Sequence, residues 1–172
     1  MEIRPPSSDA DFEGLIRVQG LSWRAAYDDI LPESVLAEMT VDPAPEDVEQ
    51  WADRLSGSGT AVFVAAVDGT VRGFVDVRWG NENTKSFVGA DEAGVKAIYV
   101  HPDWLGEGIG TALLDRGLDA LPERVETVRL EAFTDNDVGA RFYEARGFER
   151  VDTGEFAVSG KTYPTVIYAR EV

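Results

Sequence analysis

Three glycines at alternate positions, Gly106, Gly108 and Gly110, follow an apolar run from Val95 to Val100. A helical pattern of Ile109, Leu113, Leu114, Leu118 and Leu121 begins inside the same turn. Glycine reaches positive φ without steric cost and leaves no Cβ between backbone and ligand. Several N–H groups then converge beside the positive end of a helix dipole, the arrangement that binds a pyrophosphate. A P-loop does not fit, because Thr111-Ala112 stands where Lys-Ser/Thr is required. The dinucleotide fingerprint fails at Thr111 too, where it needs glycine or alanine.

A second group of chemically capable residues lies downstream. Leu130-Glu131-Ala132-Phe133-Thr134-Asp135-Asn136 leads into Ala140, Phe142-Tyr143-Glu144 and Gly147-Phe148. Asn136 is a natural N-cap. Asn136, Ala140 and Tyr143, spaced i, i+4, i+7, share one helical face. Val138, Phe142 and Ala145 share another, which is expected to be core.

The elements that carry these groups follow from pattern and punctuation. Ile3-Arg4-Pro5 reads as a short strand. A helix opened by Ser8 or Asp9 carries Phe12, Leu15, Ile16, Gln19 and Trp23. Leu31-Pro32-Glu33 starts a second helix with proline in its first turn, and residues 46–55 form a third, ended by Ser56-Gly57-Ser58-Gly59. Residues 61–67 and 71–79 are strands about an Asp68-Gly69 hairpin turn. Gly80, Asn81, Asn83 and Gly89 mark a polar loop over 80–93, before the strand 95–100. A strand over 125–133 and a helix over 137–146, stopped by Gly147, precede a hairpin of 148–158 and 162–169 around Ser159-Gly160. The order predicts one α/β domain spanning 1–172, a mixed sheet with helices on both faces.

Composition narrows the chemistry. The chain has 172 residues, no cysteine and one histidine, His101. Thiolate ligands, a cysteine nucleophile and a Ser-His-Asp triad are therefore poor candidates, and no metal site is expected. No apolar run reaches the ~20 residues of a membrane span, and no apolar leader follows Met1, so a soluble, cytoplasmic protein is expected. The net charge is −16, with 32 acidic against 16 basic residues, which argues against nucleic acid as a partner. Lysines are three: Lys85, Lys96 and Lys161. Two readings compete, an acidic pocket for cationic substrates and a halophilic adaptation to high salt, where repulsion is screened. The even spread of the acids favours adaptation.

With both motifs in view, the chain resembles the GNAT superfamily of N-acetyltransferases. Its acetyl-CoA signature, Gln/Arg-x-x-Gly-x-Gly/Ala after Tyr-Val-x-Pro, is matched by Tyr99-Val100-His101-Pro102 and by Gly108 and Gly110. Leu105 replaces the usual Gln or Arg. Residues 130–148 are similar to the family's strand-Asn-helix segment ending Phe-Tyr-x-x-x-Gly-Phe, in the manner of the ribosomal-protein alanine acetyltransferases. The resemblance covers about residues 60–170 well, and reaches the N-terminal third through Ile3-Arg4-Pro5 and Ser22-Trp23-Arg24-Ala25-Ala26-Tyr27. It implies a mostly antiparallel central sheet and acetyl transfer from acetyl-CoA to a primary amine by direct attack in a ternary complex. A homodimer stays open.

The resemblance also implies roles. Ile98, Tyr99, Val100, Leu105, Gly106, Glu107, Gly108, Ile109, Gly110, Thr111, Asn136, Ala140 and Tyr143 are expected to hold acetyl-CoA. Backbone N–H groups near Tyr99 and Val100 would meet the thioester oxygen. Tyr143 is the candidate acid for the departing thiolate. Glu131 is the preferred general base, ahead of Glu92 and Asp76. Many members carry a glutamate where this chain has Gly94. Trp23 and Tyr27 are candidate acceptor-site residues, Arg141 a candidate phosphate contact, and His101 a cap on its strand rather than a catalyst. A base matters because an amine of pKa ~10.4 is neutral about once in several thousand molecules at pH 7, against roughly one in seven for an α-amine near ~7.8. A non-catalytic acyl-CoA sensor is the alternative, and it would need neither Tyr143 nor Glu131.

Overall fold

Alternating β-branched and aromatic residues build seven strands into one sheet. The computed structural model describes residues 1–80 and 83–172; Asn81, expected in the polar loop, lies outside the described residues. The strands are β1 (Glu2–Arg4), β2 (Thr60–Val67), β3 (Thr70–Trp79), β4 (Glu92–Val100), β5 (Thr127–Phe133), β6 (Glu149–Val158) and β7 (Lys161–Glu171). Their order is β1-β2-β3-β4-β5-β7-β6, and every neighbouring pair is antiparallel except β4 and β5. The helices are α1 (Asp9–Ala26), α2 (Glu33–Ala37), α3 (Pro45–Arg54), α4 (Ile109–Asp119) and α5 (Asp137–Ala145). Among the described residues no helix is long and apolar enough to cross a membrane.

Two apolar layers sandwich the sheet. On one face Leu113 and Leu114 of α4 and Ala140 of α5 pack on Val75, Val77, Val95 and Val128. On the other, Leu15 and Val18 of α1 pack on Val62, Val64 and Phe74, with Trp51 of α3 beside them. Removing such side chains from water supplies about 1.5–3 kcal/mol each before chain entropy is counted. At the edge, Arg4 of β1 clamps α1 by donating to Asp11 Oδ2 at 2.6 Å and Oδ1 at 3.0 Å. Ser8 is the N-cap of α1, its hydroxyl accepting from the Asp11 N–H.

Several boundaries differ from expectation. Pro32 occupies the N-cap of α2 rather than its first turn. β4 starts at Glu92, not Val95, because Glu92, Ala93 and Gly94 pair in parallel with Thr127, Val128 and Arg129. Of the α5 face expected to be core, Val138 is 67% exposed and Ala145 is exposed, while Phe142 alone packs, partly buried, against the core. Ala140 and Tyr143 turn inward instead, because they meet Phe148 and Tyr168 of the hairpin beneath.

Candidate active site

β4 and β5 stay paired for three positions and then part. Beyond Gly94, β4 keeps β3 on one side while its other edge faces an opening. The His101 N–H donates to Arg72 O on the β3 side. Backbone groups alternate sides along a strand, so the Val100 and Ile98 N–H groups face the opening. Consistently, Val100 O accepts from Ser22 Oγ of α1 at 2.9 Å, across that same edge.

A bulge sits where the strands part. Asp76 pairs with Ala97 but Val77 pairs with Val95, leaving Lys96 unpaired. The extra residue swaps the faces of the strand: Val95 joins the α4 layer, whereas Ala97 and Tyr99 join the α1 layer. Bulges re-aim side chains in this way and collect beside active sites.

Cavities open on both sides of the parting. One, of about 340 Å³, lies between β4 and α5 and is bordered by Ile98, Tyr99, Val100, Leu105, Gly110, Asn136 and Tyr143. The other, of about 260 Å³, lies toward α1 and α3 and is bordered by Trp23, Tyr27, Trp51, Phe133 and Phe156. Tyr27, Lys96, Ala97, Tyr99, Glu131 and Ala132 border both.

The glycine turn closes the first cavity's end. Gly106 and Gly108 have φ of +80° and +81°, and a Cβ on either would point into open space. Gly108 caps α4 with no side-chain partner for the first helical N–H groups. Gly110 has a different reason: a Cβ there would lie 2.9 Å from Phe142 Cε1. This backbone fits a pyrophosphate, with the approach left open and the helix N–H groups uncapped. Ile109 and Ala140 are core residues, and Thr111 Oγ1 accepts from Arg146 Nε at 2.9 Å. Asn136 Oδ1 caps α5 through the Gly139 N–H at 3.0 Å.

Titratable groups gather at the junction. Tyr143 packs edge-on against Phe142 and Phe148. Among the described residues its hydroxyl has no hydrogen-bond partner, and Tyr143 borders the first cavity. Burial pushes its pKa well above the ordinary phenol value, with Tyr99 and Tyr168 adding to the rise. Burial also raises Tyr99, against the pull of Trp23 and Tyr27. Trp23 Nε1 approaches Tyr99 but is buried outside hydrogen-bond geometry with any described partner. Glu131 borders both cavities, its Oε1 accepting from Lys85 Nζ at 2.8 Å and Oε2 from Thr165 Oγ1 at 2.7 Å.

The remaining candidates separate. Asp76 lines the second cavity but is bound by both Arg78 Nε and an Arg78 terminal nitrogen, at 3.0 and 3.1 Å. Glu92 borders neither of these cavities; Arg129, first, and the Gly89 N–H hold its pKa below the usual carboxylate value. Gly94 brings no side chain. His101 Nδ1 accepts from the Asp103 N–H at 3.1 Å, capping the 3-10 turn at Pro102–Trp104 rather than the strand. Arg141 Nε turns back to Asp137 O. Among the described residues no three His, Asp or Glu side chains gather as metal ligands.

Residues 23–148 match the acetyltransferase (GNAT) family. The chain belongs to the GNAT family. It is 29% identical over 157 residues to an uncharacterised N-acetyltransferase of Archaeoglobus fulgidus, covering 90% of this chain and 97% of that one. An L-amino acid N-acetyltransferase of Escherichia coli is 29% identical over 134 residues, 76% of this chain and 79% of its own length. Among solved structures, a ribosomal-protein-alanine N-acetyltransferase of Brucella melitensis superposes with a TM-score of 0.75 at 19% identity over all of both chains. The PaiA N-acetyltransferase of Thermoplasma acidophilum, solved with coenzyme A, does so at 0.70 and 21%, again over all of both chains. These likenesses place the mixed sheet among GNAT folds, and the enzyme among the acetyltransferases.

Sequence reasoning missed the GNAT site's cations. Arg54, Arg78, Lys85 and Lys96 all line the second cavity. One signal was present: Asp76 and Arg78, two apart on a strand, necessarily share a face.

Proposed function

We propose that this chain transfers the acetyl group of acetyl-CoA to a primary amine, with both substrates held at once and no acyl-enzyme formed. The carrying observation is that the two cavities share Glu131 and Tyr99 in their walls, where β4 and β5 part. Acetyl-CoA supplies the activated acyl carbon; the residues around it supply placement and proton handling.

The turn from Gly106 through Glu107, Gly108, Ile109 and Gly110 to Thr111 cradles the pyrophosphate through its backbone. The free edge at Ile98, Tyr99 and Val100 takes the arm of CoA, and its N–H groups stabilise negative charge developing on the acyl oxygen. Leu105, Asn136, Ala140 and Tyr143 flank the arm, with Leu105 acting through its apolar surface. Trp23 and Tyr27 line the acceptor side.

Glu131 is the base for the ammonium proton. Both of its oxygens are engaged, by Lys85 and Thr165, so a relaying water or displacement of Lys85 accompanies proton removal. Tyr143 donates its O–H to the leaving sulfur. The full chain, 1–172, is one catalytic domain in this reading, since the sheet draws strands from both ends.

The test is thiol release from acetyl-CoA across a panel of primary amines, with acetyl-CoA binding followed separately by calorimetry. Amine-dependent release supports the reading. Binding without release on any amine would leave a sensor and sink the enzyme assignment.

A further inference from the structure

We propose that the acceptor is an amino acid, a small amine whose carboxylate is read by Lys96 and Arg54. The proposal rests on the acetyltransferase reading of the site and names the substrate class that site takes.

Charge distribution carries it. The chain has twice as many acidic as basic residues, 32 against 16. A cavity drawn at random from such a surface would be negative. The acceptor cavity reverses this: four basic side chains line it, against Asp76 and Glu131. Two of the chain's three lysines, Lys85 and Lys96, are among the four. In a chain so poor in cations, this concentration is a property of the site rather than of the surface.

Pairing then separates the four. Arg78 is neutralised by Asp76, with which it makes a two-toothed pair. Lys85 is neutralised by Glu131. Arg54 lies over the Trp51 ring at 4.7 Å, and its backbone O accepts from Arg78. Neither Arg54 nor Lys96 has a carboxylate partner among the described residues. Lys96 is the bulge residue of β4, so the backbone irregularity at the parting also puts this residue in the cavity wall. Lys96 is exposed at the cavity rim, where desolvation by its neighbours and then Arg78 press its pKa below the ordinary lysine value, which an arriving anion would relieve.

Shape agrees. About 260 Å³ suits a small molecule, and Trp23, Trp51 and Phe156 offer an apolar wall. The carboxylate lies toward Lys96 and Arg54, the amine toward Glu131, and the side chain against the rings. The amine nitrogen bonds to the acyl carbon while the thioester C–S bond breaks and its electron pair leaves on the CoA sulfur; Glu131 takes the ammonium proton before attack, and the second nitrogen proton passes to water as the amide forms.

The experiment compares leucine with leucinol, which keeps amine and side chain but lacks the carboxylate, with rates corrected to each amine's neutral fraction. Phenylalanine and phenylalaninol form a second pair. A charge-assisted contact predicts kcat/KM about tenfold or more higher for the acids, held mainly in KM. Lys96→Met and Arg54→Met should each shrink that ratio toward about threefold, with an unchanged urea midpoint as a check on folding. Equal turnover of acid and alcohol, or a ratio untouched by both substitutions, would overturn the acceptor proposal and leave the acetyltransferase standing. Thiol release from no amine at all would overturn both.

Discussion

At Tyr143 the surroundings decide what kind of acid the phenol is. Burial lifts its pKa well above the ordinary value, so the proton stays in place through neutral and alkaline pH. A thiolate of pKa near ~8.5 is a weaker base than such a phenolate, so complete transfer runs uphill. The contribution is a hydrogen bond to the leaving sulfur. Tyr143→Phe should lower kcat by about tenfold, below the ~10²–10⁴ of full general-acid catalysis. CoA affinity should stay within about threefold, because contacts to Phe142, Phe148 and Tyr168 belong to the ring. The sign of the pKa shift adds a second readout: kcat/KM rises as the amine loses its proton and shows no fall from this tyrosine below about pH 10. Steady-state kinetics on both proteins, with chemistry rate-limiting, check this. Equal kcat values, or an alkaline fall that the phenylalanine variant abolishes, would remove the role.

Between elements, the glycines of the 106–110 turn act by different routes, and substitution should separate them. Gly108→Val forces a branched residue to positive φ and fills open space above the α4 N-terminus. It should weaken acetyl-CoA binding by about tenfold or more. Gly110→Ala meets the Phe142 ring and should lower stability first, read as a lower urea midpoint. Calorimetry on folded proteins decides, and equal affinities for parent and Gly108→Val would move the pyrophosphate elsewhere. The β1–α1 clamp gives a pH test. Arg4, chiefly through its hydrogen bonds, holds Asp11 down to about 2 from 3.8. A depressed carboxylate stabilises the fold above the unfolded pKa, and that stability is lost as pH falls from 3.8 toward 2. It amounts to about 2 kcal/mol at neutral pH. Asp11→Asn should lower the urea midpoint at neutral pH, and the gap should close over that acidic window; a constant gap would contradict the clamp. These contrasts also explain what the sequence made legible. Asp68-Gly69 and Ser159-Gly160 declared their hairpins because both residues of each turn take positive φ, which few residue pairs tolerate. The glycine turn was equally visible. The first residues of β4 were not, since Glu92-Ala93-Gly94 has no strand-like alternation and is held by β5. The bulge at Lys96 breaks the very period by which strands are recognised. On α5 two faces were equally periodic, and only the hairpin beneath chose between them. Trp51 and Arg54 reach the site through tertiary packing of a helix distant in sequence.

Over the whole molecule, the acidic surplus is a surface property, because the acceptor cavity holds two of the 32 acidic residues and four basic ones. That distribution removes the main support for an acidic substrate pocket. Ion pairs within 4.0 Å involve six acidic side chains among the described residues: Glu2, Asp11, Asp76, Glu92, Glu131 and Glu144. Salt weakens those six attractions but also screens repulsion among the far more numerous unpaired carboxylates, so its net effect should be stabilising. The screening length falls from ~10 Å at 0.1 M to ~3 Å at 1 M, which removes most repulsion between surface neighbours. Native stability is only about 5–15 kcal/mol, so a modest penalty per carboxylate becomes decisive at low salt. The urea midpoint should therefore rise clearly between about 0.1 and 2 M KCl. Chloride is the right anion, because sulfate strengthens apolar burial independently of charge. Two variants sharpen the test: Glu46→Lys and Glu49→Lys, at non-buried positions on α3 remote in sequence from both motifs, should flatten the salt dependence together by removing like charges. A midpoint that is flat or falling in the parent over that range would mean the acidic surface carries no penalty that salt relieves, and the halophilic reading would fall without touching the chemistry of the site.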